Sequence, residues 1–188
     1  LTIFLIDCSS TPVRTVMKQA PPRILIISSL IGYVEPCGCT TDLLLGGIDR
    51  IAATIKKAKS EGPTAVFVVG PYLFEKAVKE HRAPQERAKA QLIARALSKI
   101  GVDAIVHTPN EQIHGKSFFE TIQSSYPQTD VTLRSPSSQG KIVQLGNYKV
   151  GVFGIQSSTE SKAQTQGRID EEAKRLRASG AQVVIALA

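Results

Sequence analysis

A chain of 188 residues with 42% hydrophobic and 21% charged content has the material for one α/β domain with a substantial core, and this composition excludes a disordered chain. Aromatic residues make up 5% and tryptophan is absent, so there is little from which to build a base-stacking platform, and no nucleic-acid partner is expected. The net charge of +7 suits an anionic small molecule or surface, but no tight basic run appears. Lys56, Lys57 and Lys59 form the densest cluster, and the other basic residues are spread as on a solubilising surface.

In chain order, Leu1 to Ile6 is apolar except for Thr2 and runs into Asp7-Cys8-Ser9-Ser10. Thr11 to Pro22 follows with three prolines and little periodicity, which is linker composition. An apolar segment, a cysteine, paired serines and a linker resemble the end of a bacterial lipoprotein signal, with Cys8 as the lipidated residue. Asp7 stands where such a signal has a small residue, and the competing reading is an N-terminal strand with an incidental cysteine. The expected organisation is a signal remnant and linker over 1–22 and one domain over 23–188, placed in the bacterial envelope as a periplasmic or outer-membrane lipoprotein. No other stretch is long and apolar enough to span a bilayer.

Ile24 to Ile27 is an unbroken apolar run that ends in Ser28-Ser29, the pattern of a buried strand feeding a loop. The loop carries Gly32 and Pro36-Cys37-Gly38-Cys39, then Gly46-Gly47 before a helical pattern. In open α/β sheets, ligands sit at this end of the strands. Ile48, Ile51, Ala52, Ile55 and Ala58 keep one face of a helix that Gly62-Pro63 stops. Ala65 to Val69 reads as a second buried strand, ended by Gly70-Pro71. Gln85 to Ile100 reads as a second helix, with Ala88, Leu92, Ala96 and Lys99-Ile100 following its face and Gly101 as its cap. Val102 to Val106 reads as a third strand, ended by His107-Thr108-Pro109-Asn110-Glu111. Strand, helix, strand, helix, strand at this spacing predicts parallel βαβ units with right-handed crossovers.

Beyond Gly115 the sequence predicts a short helix over 117–124 and a short strand at Val131 to Leu133. A hairpin follows, Lys141 to Leu145 and Tyr148 to Gly154, turning at Gly146-Asn147. An amphipathic helix over 166–179 and a buried strand over 183–187 complete the pattern.

The loop residues in this order resemble the N-terminal domain of the 5'-nucleotidase and UDP-sugar hydrolase group of calcineurin-like metallophosphoesterases. The resemblance is carried by Gly32-Tyr33, Glu35-Pro36-Cys37-Gly38-Cys39, Leu45-Gly46-Gly47, Gly70, Glu111 with Gly115, Val150 to Ile155, and the closing run from Ala181. The Glu-Pro-Cys-Gly-Cys variant is similar to a subgroup of bacterial envelope proteins. The resemblance implies a two-sheet β-sandwich flanked by helices. It also implies a strand-end site where two divalent metal ions clamp phosphoryl oxygens and activate a water.

That chemistry draws on Asp-x-His, Gly-Asp and Gly-Asn-His-Glu motifs, with histidines from later motifs that would follow Ala188. The matching positions read Ser29-Leu30-Ile31, Gly70-Pro71 and Thr108-Pro109-Asn110-Glu111. Ser29, Ile31, Pro71, Pro109 and Asn110 thus replace the metal-holding residues, and neither proline can coordinate through its side chain. No cofactor is therefore expected. A rebuilt zinc-type site would draw on His107, Glu111 and His114 with Cys37 or Cys39, whereas a lone histidine near a strand end reads first as a hydrogen-bonded structural residue. Cys37 and Cys39 read either as a thiol redox pair or as an inert turn, with no basic neighbour in sequence to lower a thiol pKa. The function expected is an inactive metallophosphoesterase-like binding or scaffold module. An active phosphatase with a rebuilt metal site and a thiol redox module are the alternatives, and the partner, small molecule or envelope protein, is left open.

Overall fold

Thr64 to Val69 is a β-branched, unbroken apolar strand, and it lies at the centre of a parallel sheet with both faces covered. The computed structural model describes residues 20–35, 47–75, 80–126, 129–133, 138–156 and 161–188. The strands are β1 (Arg23–Ser28), β2 (Thr64–Val69), β3 (Ala104–Ile105), β4 (Thr132–Leu133), β5 (Lys141–Leu145), β6 (Tyr148–Ile155) and β7 (Val183–Leu187). The helices are α1 (Ile48–Glu61), α2 (Ala83–Ile100), α3 (Lys116–Gln123) and α4 (Lys162–Ala178).

The first sheet runs β1-β2-β3, all parallel, as the βαβ spacing predicts. In the second sheet β6 is central: it pairs in parallel with β4 and β7 and antiparallel with β5. The β5–β6 pair is the predicted hairpin, turning through Gly146, whose φ of 59° requires the left-handed region that glycine enters freely. The stretch before β4 ties the sheets together, because Ile105 bridges Asp130 in parallel and Gly154 N–H donates to the Val131 carbonyl.

Three apolar clusters define the layers. The inner faces of the two sheets meet through Phe67, Ala104, Val106, Val143 and Val152. The outer face of the first sheet packs Val66, Val68 and Ile105 against Ile55 of α1, Ile93 and Leu97 of α2, and Phe119 of α3. The outer face of the second sheet packs Phe153 against Leu176 of α4. The result is the expected two-sheet sandwich with helices on both outer faces.

Several local expectations need correction. Among the described residues β1 is an edge strand rather than a buried one, since β2 is its one neighbour in the sheet and Ile26 is 56% exposed. β7 is likewise an edge strand of the described residues, pairing with β6 alone, with Val183 48% exposed. The buried stripe of α2 is Ala90, Ile93, Ala94 and Leu97, while Leu92 is 44% exposed. Counting from Ala88 picked the wrong side of a helix whose alanines lie on both faces. β3 is shorter than the apolar run Val102 to Val106 suggested, although that run is buried apart from Asp103. α4 begins earlier than its periodicity indicated, because Ser161 caps it: Gln164 N–H donates to the Ser161 hydroxyl at 3.3 Å and Ser161 N–H donates to Gln164 Oε1 at 2.9 Å.

Candidate functional site

The loops after β1, β2 and β3 run side by side at the carboxyl end of the first sheet, where the strand pattern places a site. Backbone hydrogen bonds stitch the first loop to the second. Ser29 N–H donates to the Val69 carbonyl (3.3 Å), Ile31 N–H to Pro71 (3.0 Å) and Gly32 N–H to Tyr72 (3.1 Å). Ser29, Ile31 and Pro71, far apart in sequence, therefore lie together. Ser29 and Ile31 both have positive φ, 51° and 38°. For a β-branched isoleucine this costs on the order of 1–3 kcal/mol and persists only where the surroundings impose it. The cross-loop hydrogen bonds supply that constraint. Gly32 continues the turn at φ 76°, and a Cβ there would lie 2.8 Å from the Leu73 carbonyl oxygen.

The third loop is organised by Glu111, which is fully buried. One carboxylate oxygen accepts from Tyr72 N–H at 2.9 Å, and the other accepts from Thr108 N–H and the Thr108 hydroxyl, both at 2.6 Å. The Thr108-Pro109-Asn110-Glu111 stretch is thus a capping box on a short 3₁₀ turn, with Pro109 at its first position and Asn110 inside it. Burial pushes the Glu111 carboxyl upward, and this outweighs the opposing donors from Thr108 and Tyr72.

His107 lies beneath this turn in the core. Its Nδ1 is 2.8 Å from the Tyr72 hydroxyl, which also meets the Tyr126 hydroxyl at 2.8 Å. Its Nε2 is 3.6 Å from Asp130 Oδ2, and its backbone N–H donates to Thr132 Oγ1 at 2.8 Å. Phe119 meets the imidazole edge-on with centroids 5.0 Å apart. Burial raises both tyrosine hydroxyls well above their ordinary value, which keeps them protonated as donors within the network. His114 sits elsewhere: its Nε2 is 3.3 Å from Glu86 Oε2 on α2, and its ring stacks edge-on against Phe74 at 4.6 Å. The structure therefore does not bring His107 and His114 together around one point. His81 is exposed, as its polar surroundings suggested.

The two divalent ions implied by the resemblance do not fit the described residues at the matching positions. Ser29 contributes at most a hydroxyl, Ile31, Pro71 and Pro109 contribute no side-chain donor, and both oxygens of Glu111 already serve the loops. Among the described residues, no three His, Cys, Asp or Glu side chains converge as a metal-binding group. Cys8, Cys37 and Cys39 lie outside the described residues.

A cleft of about 170 Å³ opens beside Ile31 and Gly32, walled by Tyr33, Phe74, Glu75 and Glu86, with Arg82 and Lys89 on its rim. Sequence reasoning missed this cleft and the Tyr72–His107–Tyr126 network. Their members lie far apart in the chain, and the one local signal, the Thr-x-x-Glu spacing of Thr108 and Glu111, looked like part of a metal motif.

No family profile matches this chain, and no curated protein matches it. Solved structures do. The NAD nucleotidase of Haemophilus influenzae superimposes with a TM-score of 0.65 at 13% identity, covering 87% of this chain and 33% of its own. The calcineurin-like phosphoesterase YfkN of Bacillus subtilis gives 0.58 at 15% identity, covering 88% of this chain and 60% of its own. The sulfate thiohydrolase SoxB of Thermus thermophilus gives 0.66 at 14% identity, covering 87% and 42%. The chain spans between a third and three-fifths of the length of these proteins. It has the metallophosphoesterase fold, in the form found in the N-terminal domains of 5'-nucleotidase-type proteins.

Proposed function

We propose that this domain is a bacterial-envelope module that has kept the metallophosphoesterase fold, has lost phosphoester hydrolysis, and acts by binding or as a scaffold. One observation carries the reading. The first and second loops are held in shape by hydrogen bonds to each other and the third by Glu111, and the positions that the resemblance assigns to metal-holding residues carry Ser29, Ile31, Pro71, Pro109 and Asn110. A phosphoesterase of this type needs cations to clamp the phosphoryl oxygens and lower the pKa of a bound water to about 7. The cleft beside Ile31 is also smaller than the roughly 300 Å³ at which small-molecule sites begin. Its balanced acids and bases give no strong preference for a phosphate.

The test is metal analysis of the purified chain together with hydrolysis of AMP and an aryl phosphate. Substoichiometric manganese, zinc and iron, with hydrolysis equal to buffer when those metals are added, is the expected result. Stoichiometric binding of two metals with metal-dependent phosphate release would replace this reading with an active enzyme built on a different ligand set. The envelope assignment rests on the Cys8 resemblance. In bacteria, a chain carrying Cys8 behind its signal should show a diacylglycerol mass shift that Cys8→Ala abolishes, and an unmodified Cys8 in membrane-free material would remove the anchor.

A further inference from the structure

The end of the sandwich opposite the strand-end loops has a distinct surface. α1, α2 and α4 all finish there, because each precedes a parallel strand that starts at that end. Lys59 Nζ donates to the Ile100 and Gly101 carbonyls at 2.8 and 2.9 Å, which places the last turns of α1 and α2 side by side. The β5–β6 turn reaches the same end: a Cβ on Gly146 would lie 3.1 Å from Pro63, and Gln182 N–H, just before β7, donates to the Lys149 carbonyl at 2.9 Å. Lys56, Lys57, Lys99, Lys149, Lys174 and Arg177 are exposed here. Of the acids at this end, Glu61 is held by Arg23 and Asp103 accepts from Val66 N–H at 2.8 Å.

Basic residues in a last helical turn complement the helix dipole, and this accounts for Lys59, Lys99 and Arg177. Lys149 on β6 belongs with them, because its side chain lies against Gly180, just past the end of α4. The dipole does not account for Tyr148 and Val183, which are 46% and 48% exposed at the starts of neighbouring strands at this end. An aromatic and an aliphatic side chain set among lysines and arginines is the composition of a surface that lies against a phospholipid headgroup layer. The chain also enters the domain at this end: Ala20 touches Gly62, and Arg23 N–H donates to the Pro63 carbonyl at 2.9 Å.

We propose that this pole docks on an anionic phospholipid surface and turns the strand-end loops away from it. The charge ring supplies long-range attraction, worth about five-fold in binding for each basic residue near the headgroups and screened within a Debye length. Tyr148 and Val183 supply the short-range apolar contact. The inference holds whether or not the loops hydrolyse anything.

The test uses the unlipidated chain, sedimented with vesicles of phosphatidylcholine alone and of phosphatidylcholine mixed with phosphatidylglycerol. Retention on the mixed vesicles alone, falling as salt rises, is expected. The combined variant Lys56→Gln, Lys99→Gln, Lys149→Gln should lose about five-fold in partitioning per charge removed. Tyr148→Ser should weaken retention without changing its salt dependence. Lys162→Gln, at the other end of α4, should match the parent. Thermal unfolding confirms that each variant is folded. No retention on the anionic vesicles at low salt, an equal loss from Lys162→Gln, or preferential capture by duplex DNA over the vesicles would each overturn the proposal. Metal content and hydrolysis, read on the same samples, report on the strand-end loops separately.

Discussion

Replacing Glu111 with alanine should destabilise the domain by about 3–5 kcal/mol, more than the roughly 1–3 kcal/mol that one buried group costs when it loses its partner. Glu111 is fully buried and holds three donors: Tyr72 N–H, Thr108 N–H and the Thr108 hydroxyl. Each donor left without an acceptor costs roughly 1–3 kcal/mol, and the space vacated is too enclosed for free hydration of all three. Glu111→Gln should cost less, about 1–3 kcal/mol, because one oxygen remains while the amide N–H₂ faces a backbone N–H. The check is urea unfolding with the midpoint lowered at unchanged m. A loss below about 1 kcal/mol for the alanine variant would mean that the second and third loops are held by something other than this carboxyl.

The pH dependence of the pair has a definite sign. The Glu111 carboxyl is raised in the folded protein above its ordinary value of 4.5. The folded state therefore binds this proton more tightly than the unfolded chain does. The stability from this shift is fully present below the ordinary carboxylate value and is lost as pH rises through the raised one. Against a Glu111→Gln background, which cannot titrate there, the parent should lose relative stability as pH climbs past 4.5. A relative gain over that window would show that the three donors outweigh burial.

Much of the framework could be read from residue order. Apolar runs ended by Gly-Pro or by paired serines marked β1 and β2, and Gly146-Asn147 marked the hairpin turn. What could not be read was which strands lie at an edge. Ile24 to Ile27 looks as buried as Ala65 to Val69, because an edge strand in a parallel sheet still has helices over part of its face. The inner face of α2 was ambiguous for a related reason: Ala88, Ala90, Ala94 and Ala96 spread small apolar residues around the helix, so periodicity alone does not choose a side. The loop positions Ser29, Ile31, Pro71, Pro109 and Asn110 were found from their order after three strands. The meeting of Ser29 and Ile31 with Pro71 through cross-loop hydrogen bonds, and the left-handed backbone at Ile31, depend on contacts between segments forty residues apart. The Tyr72–His107–Tyr126 network is hidden for the same reason. The ends of the helices carry their own lesson: the basic last turns of α1, α2 and α4, far apart in the chain, share one end of the fold once parallel strands align the helix termini.

A close contact between the two sheets sets up a second large effect. Gly154 lies on β6, paired on one side with Thr132 and on the other with Leu187. A Cβ built there would fall 2.3 and 2.5 Å from the two methyl carbons of Val106 and 2.9 Å from its Cβ. Val106 is β-branched and nearly fully buried, so it has neither a spare rotamer nor open space into which to swing. Gly154→Ala should therefore push the sheets apart and cost about 3 kcal/mol, the upper part of the range for overpacking a core. Val106 directly precedes His107, and Thr132 holds the His107 backbone, so the strain should also loosen the Tyr72 hydroxyl from the imidazole. Val106→Ala alone leaves a cavity and should cost about 2 kcal/mol. If the clash is the cause, adding Val106→Ala to Gly154→Ala should recover stability rather than lose more, with a coupling energy of at least about 1 kcal/mol in the double-mutant cycle. Additive losses would place the cost of Gly154→Ala in the β6 backbone itself and not in the distance between the sheets.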